Sequence, residues 1–174
     1  MRFSIIIIGL CAMSIMSCPT GDPAHKENEN VQQKNENLPQ LKAEWEQQFA
    51  MWKALNIQDY QFVYIIIATG IYQKITVKNG VCESAINIYD NEPDSPHFKT
   101  IDAIFDLING AFFTEENFDY PPGQIETWFS IYYNPQYHYP VEYSQILIFD
   151  QSYGYVGGNG VTIEITDFTP LEDE

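Results

Sequence analysis

Tyr72-Gln-Lys-Ile-Thr-Val-Lys78, Asn79-Gly80 and Val81-Cys-Glu-Ser-Ala-Ile-Asn-Ile-Tyr89 together decide the fold class of this chain. Asn-Gly between two runs rich in β-branched residues is a strong hairpin signal. Both central residues of a type I′ turn need positive φ, which glycine and asparagine reach at low cost. In the first run Ile75 and Val77 alternate with Thr76 and Lys78, so one side faces a core and the other water. The stretch predicts two antiparallel strands, 72–78 and 81–89, in a sheet wet on one face.

Upstream, Tyr60-Gln-Phe-Val-Tyr-Ile-Ile-Ile67 is β-branched and aromatic throughout, as suits a central strand that ends at Gly70. Before it the period changes. Leu41, Trp45, Phe49, Trp52 and Leu55 recur every three or four residues, predicting an amphipathic helix over 41–56 with both tryptophans in the core. Downstream, Ile101, Ile104, Phe105, Ile108 and Phe112 give a second helix over 100–113, with Thr100 as N-cap and Asp102 near its positive end. Residues 114–123 read as an irregular connection. Strands follow over 126–133, 141–150 and 161–167, the last two separated by the glycine-rich 151–160. In the last strand Val161, Ile163 and Ile165 alternate with Thr162, Glu164 and Thr166. The expected fold is a single α+β domain of order helix-β-β-β-helix-β-β-β, a mostly antiparallel sheet with both helices packed on one face.

The start of the chain has a different logic. Arg2 precedes an apolar run over 5–16, too short to span a bilayer but suited to a signal peptide. Ile15-Met16-Ser17-Cys18 then has the layout of a bacterial lipobox, whose cysteine thiol takes a diacylglyceryl group before cleavage. The expected organisation is a signal peptide over 1–17, lipidated Cys18 and a tether over 18–40, and a domain over 41–170. Val31 and Leu38 are the only large apolar residues in 19–40, too few to offset the entropy of ordering that stretch. As a coil it holds the domain roughly 25 Å from the membrane. This places the protein in the bacterial cell envelope, periplasm included, attached through its lipid to the inner or the outer membrane.

Composition excludes several function classes. The formal net charge is −16 over 174 residues, and losing Arg2, the only arginine, with the signal takes the mature chain to −17. Such a domain repels nucleic acid and has no guanidinium fork for phosphate. Of three cysteines only Cys82 remains as a thiol, so no internal disulfide is expected and the fold stands on packing. The 11 Phe, 12 Tyr and 3 Trp supply the bulk for a sizeable core.

Several segments, taken in order, resemble a family of uncharacterised bacterial lipoproteins, the domain-of-unknown-function family 6174. They are Asp59-Tyr60-Gln-Phe after the tryptophan helix, Ile75-Thr-Val-Lys-Asn-Gly80, and Thr100-Ile-Asp-Ala-Ile-Phe105. Ile131-Tyr-Tyr-Asn-Pro135 with Tyr139-Pro140 and the closing Ile163-Glu-Ile-Thr-Asp-Phe168 complete the set. The resemblance spans 52–168 and implies the envelope location and the fold, with no catalytic residue to transfer. The chain departs from the family pattern in four places. Ile66-Ile-Ala-Thr-Gly70 stands where members often carry a cysteine pair, Asn134 replaces an aspartate, His138 replaces a glycine, and Gly157-Gly-Asn-Gly160 replaces an acidic cluster.

Three constellations are candidate sites. Tyr132, Tyr133, Tyr137, Tyr139 and Tyr143 crowd one stretch whose Asn-Pro and Tyr-Pro steps stiffen the backbone. Tyrosine brings large, rigid, amphipathic contact area, so an envelope protein or glycan is the expected partner, against the alternative that these rings pack in the sheet. Asp90 and Asp94 put oxygen donors on the loop Asp90-Asn-Glu-Pro-Asp94, which suits calcium in type but lacks the glycine and terminal glutamate of an EF-hand. Cys82 with His97 is a third pairing, though strand cysteines mostly act as small buried hydrophobes. The leading expectation is a lipid-anchored, non-enzymatic binding or accessory module without a resident cofactor. The alternative is a carboxylate- or calcium-dependent envelope enzyme.

Overall fold

In the computed structural model, residues 37–117, 124–149 and 159–171 are described. Cys18, the signal peptide and the expected tether up to residue 36 lie outside them, as do 118–123 and 150–158 of the two later connections. The chain order is α1 (Leu38–Leu55), β1 (Tyr60–Ile66), β2 (Ile71–Lys78), β3 (Val81–Asn87), α2 (Ile101–Asn117), β4 (Gln124–Tyr133), β5 (Pro140–Phe149) and β6 (Asn159–Pro170). This is an α+β domain: two helices and one six-stranded sheet of order β3-β2-β1-β6-β5-β4, antiparallel at every pairing. Each half is a meander, and the first and last strands meet at the centre.

The Asn79-Gly80 turn forms as expected. Asn79 and Gly80 have φ of 52° and 72°, and Ile75 and Val77 are fully buried. The hairpin tip folds back on the entry to β1: Gly80 N–H donates to Gln58 O at 2.9 Å and Asn79 N–H to Asp59 Oδ1 at 2.5 Å. Alternation then sorts the sheet. Phe62, Tyr64, Gln73, Ile75, Phe129, Tyr143, Ile163 and Ile165 point to one side and are buried.

Both helices cover that side. From α2, Ile101, Ile104, Phe105, Ile108 and Phe112 are fully buried, with Phe105 stacked on Tyr133 and Phe112 edge-on to Phe129. From α1, Trp52 packs edge-on to Tyr60, Tyr139 and Phe168, while Trp45 is half-buried and stacks on Phe49. Trp45 Nε1 donates to Phe105 O at 3.2 Å, and Lys42–Glu116 and Lys53–Asp102 ion pairs of 2.7 and 2.6 Å mark opposite ends of the helix pair.

The helix ends follow local chemistry. Thr100 Oγ1 accepts from Ala103 N–H at 3.2 Å, the expected N-cap, and the Ile101 N–H beside it donates to the Tyr60 hydroxyl at 3.1 Å. Asn56 ends α1 in the left-handed conformation, its N–H on Lys53 O. Among the strands, β3 (Val81–Asn87) stops short of the expected residue 89, and β4 (Gln124–Tyr133) and β6 (Asn159–Pro170) run beyond the expected 126–133 and 161–167. Two helix ends also extend beyond the sequence reading. Pro39 in the first turn lets α1 begin at Leu38. The irregular connection expected from residue 114 is helical through Asn117, where Thr114 Oγ1 and Asn117 Nδ2 donate to the carbonyls of Gly110 and Phe113. Glutamates 115 and 116 are adequate helix formers, and the polar composition hid this last turn.

Candidate functional site

The five tyrosines do not form one surface. Tyr139 and Tyr143, 5% and 1% exposed, belong to the core, and Tyr133 and Tyr137 pack half-buried against it. The reason is register. Tyr133 and Tyr143 occupy inward positions of β4 and β5, while Asn134 shapes a turn that folds Tyr137 and Tyr139 onto Phe168. Asn134 Oδ1 accepts from the N–H groups of Gln136 and Tyr137, and Asn134 O from that of His138, which has φ 63°. Burial raises the hydroxyl pKa of Tyr133, Tyr139 and Tyr143 above the usual tyrosine value. Tyr132 alone of the five points outward, 59% exposed. Of the five rings expected to form a contact surface over 132–143, two are buried in the core, two are half-buried against it, and Tyr132 alone is largely exposed.

Asp90 and Asp94 also serve their loop. Asp90 Oδ1 accepts from Glu92 N–H at 3.1 Å, and Asp94 Oδ1 from Ser95 N–H at 2.7 Å. Asp94 Oδ2 takes the side-chain amide of Gln73, which is 1% exposed on β2. The same amide reaches Ser95 O at 3.1 Å, while Gln73 Oε1 accepts from the Tyr64 hydroxyl, itself the acceptor of His97 N–H at 2.8 Å. A buried amide with partners on both ends pins residues 94–97 to the sheet. Among the described residues no three His, Cys, Asp or Glu side chains are grouped to hold a metal ion. Cys82 is half-buried on β3, its thiol directed to Ser84 O, and burial pushes its pKa up, away from the thiolate a nucleophile needs. Alternation on β2 placed Gln73 inward; only its polarity disguised a residue central to loop placement.

A cleft of about 140 Å³ lies between the end of α1, the start of α2 and the hairpin tip, lined by Trp52, Lys53, Gln58, Tyr60, Thr100 and Asp102. It is smaller than the roughly 300–1,000 Å³ of most ligand pockets. Its polar groups satisfy one another: Trp52 Nε1 and Lys53 Nζ donate to the two Asp102 oxygens at 2.7 and 2.6 Å. This is a hydrogen-bonded helix junction.

The open face of the sheet has the opposite character. Its outward residues form rows across neighbouring strands. One runs Tyr132–Glu142–Glu164–Ile65–Tyr72, the next Ser130–Ser144–Thr162, the third Trp128–Ile146–Gly160. Trp128 is 52% exposed and lies four residues from Tyr132 on β4, about 14 Å along the strand. Between them the middle row carries only small hydroxyls, with Ser144 Oγ and Thr162 Oγ1 2.9 Å apart. Two large aromatics thus rise on either side of a low polar floor at the sheet margin. Tyr132 was within the stretch singled out from sequence; Trp128 was missed because a strand tryptophan reads as core until its register is known. Comparison with known proteins finds no family model, no curated relative and no solved structure that matches this chain.

Proposed function

We propose that this chain is a bacterial envelope lipoprotein, held to its membrane by lipid on Cys18, whose domain is a non-enzymatic binding or accessory module. The lipobox ending at Cys18 and the polar tether support the location, and the resemblance over 52–168 points the same way. The partner is an envelope protein or glycan, and the contact is the Trp128–Tyr132 strip of the open face. One observation carries the reading: two large aromatics stand more than half exposed on the face that neither helix covers. Exposed aromatic area of this kind is over-represented at recognition surfaces. The carboxylate or calcium enzyme draws no support from Asp90 and Asp94: Asp90 Oδ1 and Asp94 Oδ1 accept from N–H groups of their own loop, and Asp94 Oδ2 from Gln73 of β2.

The test is capture from envelope extract by the full chain in detergent. A specific partner should be retained by wild type and lost by Trp128→Ala/Tyr132→Ala. Cys18→Ser should shift the protein from the membrane to the soluble fraction. Capture indifferent to both aromatics, or membrane attachment that survives loss of Cys18, would overturn the corresponding half of the proposal.

A further inference from the structure

The outward residues of β5 run Glu142, Ser144, Ile146, so three chemistries follow one another along one line of the open face. Each is flanked in register. Glu142 lies between Tyr132 of β4 and Glu164 of β6, with Ile65 of β1 beyond. Ser144 is hydrogen-bonded to Thr162, and Ile146 lies between Trp128 and Gly160, which brings no side chain. From Glu142 to Ile146 is about 14 Å of strand.

Charge singles out the first position. Glu142 and Glu164 are direct cross-strand partners, half-buried, and among the described residues no ion pair reaches either. Like charges directly opposite each other destabilise a sheet. β4, β5 and β6 contain no lysine, arginine or histidine. The β2 member of this row is Tyr72, and Lys74 stands two residues off it and two strands from Glu164. Two adjacent carboxylates thus lack a counter-charge beside the exposed ring of Tyr132. Such a pair suits an ammonium or a guanidinium, and the neighbouring ring attracts the same cation and covers its methylene stem.

Resting on the binding-module reading above, we infer that this line seats a basic, extended segment of the partner protein, laid over the face along β5. The contacts are made by side chains, and no pairing with a sheet edge is required. Alternate residues of an extended chain point the same way, so three of them, each two apart, meet Glu142, Ser144 and Ile146 in turn. The first is lysine or arginine, held by Glu142 and Glu164 against Tyr132. The second is small, above the hydroxyls of Ser144 and Thr162. The third is apolar, against Ile146 and Trp128, where Gly160 leaves room. Charge complementarity selects this occupant. A second copy of the face would set acids against acids, an anionic lipid surface is repelled, and a neutral glycan would leave the carboxylates unpaired.

The probes are nine-residue threonine–serine peptides added to the full chain in detergent, with binding read by calorimetry and by tryptophan fluorescence. Two carry lysine and phenylalanine four residues apart, one in each order. A third replaces the lysine with glutamate. A fourth keeps the composition but sets the pair three apart, on opposite sides of an extended chain. One of the first two should bind and change the fluorescence, with the third and fourth at least about tenfold weaker. Glu142→Gln/Glu164→Gln should weaken that peptide about five- to tenfold while raising the melting temperature, so the loss cannot be misfolding. The same variant should lose the partner captured from envelope extract. Equal binding of the glutamate peptide, indifference to spacing, or capture that survives the double substitution would overturn the inference. So would binding of an N-acetylglucosamine oligomer with the basic peptides inert, or a dimer in sedimentation that Trp128→Ala dissolves. If no peptide binds yet partner capture still needs Trp128 and Tyr132, this inference falls and the binding-module reading stands. If capture ignores both aromatics, that reading falls as well.

Discussion

The hydroxyls of Tyr133 and Tyr143 both sit on the helix-covered side of the sheet, and they differ in one respect. Tyr143 donates to Gln145 Oε1 at 3.1 Å, whereas the buried Tyr133 oxygen has no hydrogen-bond partner among the described residues. A buried hydroxyl without a partner has lost its water for nothing, so removing it is neutral or favourable. Tyr133→Phe is therefore expected to leave the unfolding free energy unchanged or raise it by up to about 1 kcal/mol, while Tyr143→Phe lowers it by about 0.5–1.5 kcal/mol. Denaturant titration of both variants checks the pair; a loss at Tyr133 as large as at Tyr143 would mean that the orphan hydroxyl is bound in solution. Gln73 is the third residue at this scale. Its amide joins Tyr64, Asp94 and Ser95, so Gln73→Leu strands buried polar groups on both sides and should cost about 1–3 kcal/mol.

Two glycines separate what an element tolerates from what it forbids. Gly110 lies inside α2 with open space where a Cβ would go, and Gly160 in β6 has Gln145 O only 2.6 Å from that position. Gly110→Ala should raise stability by about 0.5–1 kcal/mol, the helix-propensity difference. Gly160→Ala should lower it by about 1–3 kcal/mol, as the start of the β5–β6 ladder is pushed apart. Thermal melts of the two variants give opposite signs if β5 and β6 meet in this register. The elements themselves were largely legible. Periods of 3.6 and 2, the Asn79-Gly80 turn and the Thr100 cap each have a local cause, and each appears as read. Strand neighbours were less so, because nothing local in β1 or β6 states that the two pair across the whole chain. The candidate site suffered most. A dense tyrosine run looks like a surface until alternation and the Asn134 turn assign each ring a side, and that assignment leaves Tyr132 outside while bringing in Trp128 from four residues earlier on the same strand.

At the scale of the domain, stability should fall steeply in alkali. Burial pushes the Tyr60 hydroxyl from 10.0 up to about 12, and it also raises Tyr64, Tyr133, Tyr139 and Tyr143. A raised folded-state pKa means that the stability contribution is intact below the unfolded value near 10 and is lost as pH climbs toward the folded value. In that window the unfolded chain releases protons that the native chain retains. Tyr60 alone accounts for about 2–3 kcal/mol between pH 10 and pH 12. Tyrosinate absorbance from these five rings should appear together with the loss of secondary structure. Smooth ionisation of all twelve tyrosines near pH 10 with the fold intact would show that the inner face is wet.

The division of the sheet into a helix-covered face and an open, aromatic, acidic one is what the proposed function depends on. Photo-crosslinking from single positions tests it in the living cell. A photoreactive phenylalanine at Tyr132 reports the open face, and one at Phe113, also exposed but on α2, reports the helical side. The expected result is a discrete crosslinked envelope partner from position 132 that is absent from position 113 and abolished by Trp128→Ala. A partner trapped from position 113 and none from 132 would contradict the account, moving the contact to the helices and returning the sheet's aromatics to a purely structural role.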